Sequence, residues 1–530
     1  MVATKRKAAK EGAKSASKGA KPGKEAKSTA SGPPAPAARE LIDMKEAIAI
    51  LRTSRPTFYR WLRAGKVKGM KVGRQWRFYR EDIERFLAGQ EPRVDVPVGL
   101  DGLIGRLRER LDELDGAEIE EEGADDVQRV VNLMISLAYV MRASDVHVAP
   151  MLKPGSGVAV GTIRCRVDGV LHELADIDIR QLAAVVAQWK RKAACDVNDR
   201  ARPQDGRILV DLPDDGGRLD LRVSFVPALF GESVTARLLF RAAASLALDR
   251  IDYHPTDRER IDRAIARPNG LVLVTGPTGC GKTTVMYACL NRIADGTRKI
   301  MTVEDPVEYA LPWMVQIQVR PAHGLTFPVA MRSILRSDPD IIMVGEIRNR
   351  DTLQICFEAA LTGHLLFSTL HTESAAGALT RMVDIGCEPF LVTDAVTLIV
   401  SQRLVRLLCP KCSVEADPSA DQLKRAQDLA RAGGLDWQSL SRGFRKPVGC
   451  PACVNTGYRG RTVIAETLEI SPEIAVALRD GADTDALQAA AVRHGMTTMA
   501  ADGIRRAAEG RTTIREVLRV LGASQRRPQG

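Results

Sequence analysis

No stretch of 18 consecutive apolar residues occurs in this 530-residue chain, so no transmembrane helix is expected. The basic N-terminus has no apolar segment behind it, so no secretory signal is expected either. Cysteine is sparse, at ten residues. That is too few for a disulfide scaffold in a chain this long, and a reducing compartment is expected. Large apolar residues are almost missing from residues 1–39, which are mostly Lys, Ala, Ser, Gly and Pro. Such a segment cannot bury a core and is expected to be disordered. It is either a tail drawn to nucleic acid or anionic lipid, or a solubilising tail.

The rest of the chain is ordinary globular material. Over the whole chain hydrophobic residues make up 45%, enough for true cores, and the length suits three to five domains. The net charge of +11 is unevenly placed. Residues 1–39 hold ten basic side chains against two acidic, and residues 40–90 hold twelve against six. The remaining 440 residues are slightly acidic. Any attraction to a polyanion therefore belongs to the first 90 residues.

Residues 276–284 read GPTGCGKTT, which fits the phosphate-binding loop G-x-x-x-x-G-K-[ST]. Before it, residues 271–275 (LVLVT) form an apolar, β-rich run. After it, residues 284–294 (TVMYACLNRIA) suit a helix. Glycine lets a backbone wrap a phosphate and turn its N–H groups inward, and a helix N-terminus adds partial positive charge. The nine residues of the loop are Gly276, Pro277, Thr278, Gly279, Cys280, Gly281, Lys282, Thr283 and Thr284. Lys282 is placed to reach the β- and γ-phosphates of ATP, and the Thr283 hydroxyl to ligate Mg²⁺. Cys280 occupies a variable position; its surroundings are of the kind that lower a thiol pKa, but no catalytic role is expected for it.

Two further apolar strands end in carboxylates. Residues 299–303 (KIMTV) lead into Glu304 and Asp305, and residues 341–344 (IIMV) into Gly345 and Glu346. Ligands of open parallel sheets bind at the carboxyl ends of strands. The loop and both acidic ends are thus expected to converge on one nucleotide, where a metal sphere and a water-activating base need carboxylates. Gly345 stands where an Asp often precedes such a Glu. Arg332 and Arg336 lie four apart in a helical run and share a face; they are solvated or point across a subunit interface at a neighbour's phosphate. His364 and His371 flank another strand on opposite faces. That argues against a shared metal, and makes His371, at the carboxyl end, the candidate nucleotide sensor and His364 a structural residue.

Upstream, residues 127–245 read as a mixed α/β domain. In it, Asp145 and His147 share a strand face and suit structural hydrogen bonding better than a metal. Arg207 and Arg222 read, on their own, as surface ion-pairing residues. Residues 91–126 read as a linker with a charged helix. Residues 40–90 resemble the excisionase/MerR-type winged helix-turn-helix. The resemblance rests on a short helix bearing Arg55, Phe58, Tyr59, Arg60, Trp61 and Arg63, a K-V-G-R-x-W-R wing and an R-E-D-I-x-x-F-L closing helix. It implies DNA contact, with Arg74 and Arg77 on phosphates; the other reading is a protein-docking module.

Cys409, Cys412, Cys450 and Cys453 form C-x-x-C twice, separated by 37 residues. Four thiolates in this pattern suit structural Zn²⁺, with a helical insertion in the long gap; redox dithiols and disulfides are the alternatives. The five other cysteines outside the loop read as small buried residues. Residues 406–460 form the cysteine subdomain, and residues 461–530 are expected to be a small helical bundle.

Residues from about 127 to 522 resemble the type II secretion and type IV pilus assembly ATPase family. The motifs are GPTGCGKTT, TVEDPVEY (302–309), LRSDPDIIMVGEIR (335–348), LTGHLLFSTLHT (361–372), QDGRI, GYRGR and the tetracysteine. The resemblance implies a RecA-like motor core (246–405) after a PAS-like α/β domain, working as a homo-hexamer with nucleotide between domains and subunits. It implies a place at the cytoplasmic face of the inner membrane, pushing on a platform protein. It also implies Lys282 on phosphate, Thr283 on Mg²⁺, Glu304 near the metal's water, Glu346 orienting the attacking water and His364/His371 as a histidine box. Arg207 and Arg222 match the upstream arginines that close on nucleotide, which displaces their surface reading. Arg332 and Arg336 match arginine positions of the motor. The chain departs from the family at Asn349 and Asp351, where it often reads G-E-I-R-D-x-E-T, and at Ala149, where a Glu is usual. The winged helix replaces the usual N-terminal docking domain. A DNA-directed ATPase recruited by that winged helix is the competing reading, and a non-hydrolysing nucleotide-bound scaffold a third.

Overall fold

The computed structural model describes residues 40–63, 67, 69–72, 75–87, 99–153, 157–212, 217–239, 247–440 and 442–522. The tail expected to be disordered, the side chain of Arg63 and the wing residue Arg74 lie outside them.

The first domain is a three-helix, three-stranded winged helix. Its antiparallel sheet places Gln75–Tyr79 between Leu41–Asp43 and Met70–Val72. Leu41 pairs with Tyr79 in the sheet. The helix Met44–Ile50 starts only after Asp43, which caps it in a capping box with Glu46. Phe58 from the second helix meets Phe78 from the sheet edge-on, with centroids 5.1 Å apart. A Cβ on Gly69 would come within 2.4 Å of the Phe78 ring, so only glycine lets the chain pass that close.

The second domain is an antiparallel six-stranded sheet. Its neighbours run Val170–Asp178, Ala159–Val167, Asp145–Leu152, Gly231–Leu239, Arg218–Ala228 and Gln204–Asp211. Helices Asp126–Val140 and Ile179–Lys192 pack on it. Helix Asp101–Asp112 packs on both the first of these helices and the strand Val170–Asp178. Leu100, Leu103, Ile104, Leu107 and Leu111 are all buried in this domain's core. The segment 91–126 is therefore not merely a linker. Its helix is charged on one side and has an apolar stripe at i, i+3/i+4 spacing on the other, which this domain covers. Asp145 is structural, paired with Arg237 at 3.1 Å and taking a hydrogen bond from Ser144. His147 meets the Thr235 hydroxyl at 3.3 Å.

The third domain is built on a seven-stranded sheet. Neighbours run Met314–Gln318, Ile300–Glu304, Ile341–Val344, Leu365–Leu370, Gly270–Thr275, Val396–Leu408 and Tyr458–Glu469. The first six are parallel and the last is antiparallel. The central strands, covered on both sides, are near-continuous apolar runs; Gly270–Thr275 is buried at all six positions.

Two expected boundaries move. The strands Val396–Leu408 and Tyr458–Glu469 cross positions 405 and 460, and they pair over ten registers. The cysteine segment is thus an excursion from a hairpin of the motor's own sheet. Nor is the C-terminal part a separate bundle. Helices Pro472–Arg479 and Thr484–Arg493 bury Ile474, Leu478 and Leu487 in the motor's core. Helices Met499–Ala508 and Ile514–Val520 pack with Ala420–Ala432, the helix inserted between the cysteine pairs.

If the helix Asp101–Asp112 belongs to the second domain, Leu107→Ala should lower that domain's stability by about 2–5 kcal/mol, the cost of truncating a fully buried leucine. Denaturant unfolding followed by circular dichroism measures this; a change no larger than a surface substitution would return the helix to a linker.

Candidate nucleotide site

The carboxyl ends of the central strands open on a cavity of about 160 Å³. Lys282, Thr283, Glu304, Glu308, Glu346 and His371 all face it. The phosphate loop follows the strand Gly270–Thr275 and feeds the helix Lys282–Ile293. The first-turn N–H groups of that helix have no intrahelical partners and are the natural donors to an anion. The loop is held from behind by the strand Val396–Leu408. Gln402 donates to the Cys280 carbonyl at 2.8 Å and accepts from the buried Tyr253 hydroxyl. Gly276 lies so close to this strand (φ 141°) that a Cβ would sit 2.5 Å from the Gln402 carbonyl oxygen. Cys280 faces inward and is buried, and burial pushes its thiol up, with Lys282 offsetting only part of the shift. The pKa lowering considered for it from the sequence does not occur.

The Lys282 ammonium donates to the carbonyls of Gly276 and Pro277, at 2.8 and 3.1 Å. Burial holds its pKa below the usual lysine value, against the pull of Cys280 and Glu346. A half-buried cation resting on two loop carbonyls is one that an anionic phosphate can recruit. Glu346 has Arg348 on one carboxylate oxygen and His371 Nε2 3.7 Å from the other. Glu304 is buried, and its carboxylate is fixed by donors from Tyr287, Thr302 (2.5 Å) and Gln316 (3.1 Å). A carboxylate offers about four acceptor positions, so one remains for an outside donor. Burial, and then the hydrogen bond to Glu304, raise the Tyr287 phenol pKa and keep it a donor. Gly345 stands between these acids. A Cβ there would meet the Val303 carbonyl at 3.3 Å and the Glu304 Cα at 3.4 Å, so any side chain in this slot is tight and needs the neighbouring strand to give by a few tenths of an ångström.

The arginines are placed differently. Arg222 of the second domain reaches the site's rim, where it pairs with Glu308 at 3.1 Å. Arg207 does not reach it; its guanidinium is clamped by both carboxylate oxygens of Asp220 on the neighbouring strand. Arg332 is exposed on the helix Phe327–Ile334, whereas Arg336 lies beyond that helix's end, its backbone N–H on the Ser333 carbonyl. Neither lines the cavity, and the shared helical face expected for them is lost where the helix stops. His364 precedes the strand Leu365–Leu370 and contacts the Ala359 carbonyl at 3.0 Å. His371 follows the same strand, so about 20 Å of extended chain separates the two rings. Within one chain they do not form a joint box.

Tyr287, Glu308, Arg348 and Gln402 were not singled out from the sequence. Tyr287 had a detectable signal: it lies five positions after Lys282, one helical turn plus a step into the site. Gln402 had none, because only the pairing of its strand brings it to the loop.

A sequence profile described as "Type II/IV secretion system protein" matches residues 120–519, and a helix-turn-helix domain profile matches residues 41–91. This chain belongs to the type II/IV secretion system protein family. It is 43% identical over 427 residues to the type II secretion system protein HxcR of Pseudomonas aeruginosa, covering 81% of this chain and 83% of that one. It is 38% identical over 441 residues to the type IV pilus assembly ATPase PilB of Myxococcus xanthus, covering 83% and 75%. Among solved structures, the ATPase DotB of Yersinia pseudotuberculosis shares the fold at 18% identity and a TM-score of 0.57, over 77% of this chain and 97% of that one. The DotB ATPase of Legionella pneumophila does so at 21% identity and 0.52, over 77% and 99%.

In this family member the four cysteines also come together. Their sulfurs all lie within 4.8 Å of one another. Cys409 to Cys450 is 3.9 Å, Cys412 to Cys453 is 3.8 Å, and Cys450 to Cys453 is 3.7 Å. A tetrahedral metal with bonds of about 2.3 Å to sulfur sets its ligands about 3.8 Å apart. Backbone N–H groups of Gly449, Cys450 and Gly457 point at these sulfurs. Burial raises the Cys453 thiol, but the N–H groups of Cys450 and Gly457, together with hydrogen bonds to the Cys450 and Cys412 thiols, outweigh it and bring the thiol down to about 7. The donor set and spacing are those of a closed tetrathiolate site. The other six cysteines are buried, and burial lifts Cys165, Cys289 and Cys356 to about 12.

Proposed function

We propose that this secretion or pilus-assembly ATPase hydrolyses ATP as a homo-hexamer at the cytoplasmic face of the inner membrane. Closure of its upstream domain on the motor would push on a platform protein. One observation carries the reading: Lys282, Thr283 and Glu346 face a single cavity whose rim is reached by Arg222 of another domain.

The entering triphosphate replaces the Gly276 and Pro277 carbonyls on the Lys282 ammonium, a charge-assisted exchange favoured in a partly desolvated pocket. Thr283 and Glu304 are the residues to hold Mg²⁺, which when bound supplies charge neutralisation at the phosphates. Glu346 accepts a hydrogen bond from the attacking water and orients it, while Arg348 fixes that carboxylate's other oxygen. Among the described residues Arg222 is paired with Glu308, and both side chains are about one-third exposed. Such a pair is worth at most about 1 kcal/mol, so a γ-phosphate can take the guanidinium over and draw the upstream domain inward. When the phosphate leaves, Arg222 returns to Glu308 and the domain swings back. Arg207, Arg332 and Arg336 have no place at this protomer's cavity. Arg332 and Arg336 are proposed to act toward a neighbouring subunit's nucleotide, Arg207 after release from Asp220, and His364 in support of the strand that carries His371.

We also propose that the four cysteines hold Zn²⁺ as a staple of the excursion between the two sheet strands. The winged helix is proposed to recruit a partner. Its second helix exposes Arg55 and Arg60, which favours DNA, with residues 1–90 also able to attract anionic lipid. Among the described residues no helix is long and apolar enough to cross a membrane, so attachment would be peripheral.

Glu346→Gln should bind ATP within a few-fold of the parent affinity yet turn over about 100-fold more slowly or worse; steady-state hydrolysis at the parent rate removes Glu346 from the chemistry. The parent protein should carry one zinc per chain by elemental analysis, and Cys409→Ser should lose it together with several degrees of Tm. A metal-free parent ends that proposal. Double-stranded DNA titrated into the ATPase assay should stimulate the full chain more than a form beginning at residue 99. Equal responses of the two would leave the winged helix to a protein partner.

A further inference from the structure

A second cleft, of about 550 Å³, opens between the cysteine excursion and the C-terminal helices. It is more than three times the size of the cavity at the phosphate loop and falls within the range of small-molecule sites. Five cationic side chains line it, Arg406, Arg445, Lys446, Arg515 and Arg519, against two acids, Asp417 and Glu516. The buried Glu516 is shared between two of them. It accepts from Arg406 at 2.7 Å and from Arg519 at 2.6 Å. Arg445 spends its donors on the Ser413 hydroxyl and carbonyl, neutral acceptors that leave its charge uncompensated. Lys446 and Arg515 are exposed at the mouth, and among the described residues no ion pair engages them. The lining therefore carries three more positive than negative charges. Like charges so arranged repel one another and are relieved by a bound anion.

The walls add a second requirement. The Tyr458 ring lies against the Arg406 guanidinium, 4.1 Å from its centroid, and is pinned through its hydroxyl to Thr513 at 3.0 Å. Phe444 and Pro447 complete an apolar side. An inorganic anion would leave that side and most of the volume empty. We propose that this cleft binds a phosphate ester carrying at least two negative charges and an organic portion that lies on Tyr458 and Phe444. A soluble nucleoside polyphosphate and a phospholipid headgroup bearing two phosphates both have this chemistry. The site is separate from the phosphate loop, and the proposal does not depend on how that loop is read. The two are nevertheless joined by one strand. Val396–Leu408 clamps the loop through Gln402 and presents Arg406 to the cleft, four residues or about 13 Å further on.

The test uses the full chain carrying Lys282→Ala, which silences the loop. Pyrophosphate and GTP are titrated by calorimetry, and co-sedimentation is measured with cardiolipin vesicles, whose headgroup carries two phosphates, and with phosphatidylcholine vesicles. Each is repeated after adding Lys446→Glu and Arg515→Glu, which touch only exposed side chains; unchanged melting and, with Lys282 restored, unchanged basal ATPase verify the fold. Saturable binding of GTP near one per chain, tighter than that of pyrophosphate and weakened at least tenfold in the charge-reversed form, supports the site; pyrophosphate binding as tight as that of GTP overturns the organic half of the proposal. If only cardiolipin vesicles bind in this Lys446/Arg515-dependent way, the ligand is a headgroup. Binding of none of the probes, or equal binding by the charge-reversed form, overturns the proposal.

Discussion

The close approach of Gly276 to the strand Val396–Leu408 is the constraint on which the nucleotide site depends. The absence of a side chain at Gly276 lets the loop lie against the Gln402 carbonyl, and the Gln402 amide then holds the Cys280 carbonyl from the other side. A loop fixed at two points keeps its N–H groups aimed at one place without reorganising when phosphate arrives, which is the condition for strong anion binding. The strand that does this is not free to move. It pairs with the loop's own strand on one side and with Tyr458–Glu469 on the other. The cysteine excursion and the C-terminal helices are thus part of the loop's support.

That dependence explains what was and was not legible beforehand. The loop, the two acidic strand ends and His371 were readable because each is a local pattern: an apolar run, then glycine or a charge where the strand ends. Their convergence followed from the rule for parallel sheets. The tetracysteine was readable for a similar reason, since two C-x-x-C units carry their own geometry. The misreadings share another cause. Helix Asp101–Asp112 has enough charge to resemble a linker element, and only its burial against Asp126–Val140 and Val170–Asp178 shows which stripe counts. The bundle expected after residue 461 failed because helix periodicity states which face is apolar and not what covers it. Two of the helices turned that face to the motor and two to the inserted helix.

Single-residue roles were legible only as far as strand direction carried them. His364 and His371 look like a pair in the sequence, yet a strand has two ends and only one is the ligand end. Arg207 and Arg222 look alike as well, and they even face each other as register partners on adjacent strands. One is consumed by Asp220 at 2.8 Å and the other reaches out to Glu308. No sequence rule separates them, because the difference lies in which carboxylate each finds after folding.

The strength of that second pair matters for what the molecule does. In the proposed cycle of closing and reopening, the domain cannot be held by a contact worth more than the nucleotide offers in exchange. A buried, bidentate arginine pair would hold one state, since breaking it leaves a charge stranded at a cost of several kcal/mol. Arg222 and Glu308 are instead both partly solvated, and each can be separated with water as its substitute. The firmer contacts between the same domains lie elsewhere. Asp168, at the turn of a second-domain hairpin, accepts the Gly460 N–H at 2.8 Å with Arg461 beside it. The upstream domain is therefore fastened beside the cysteine excursion and only lightly latched at the nucleotide rim. An element anchored at one end and weakly held at the other can respond to a charge at its free end by rotation.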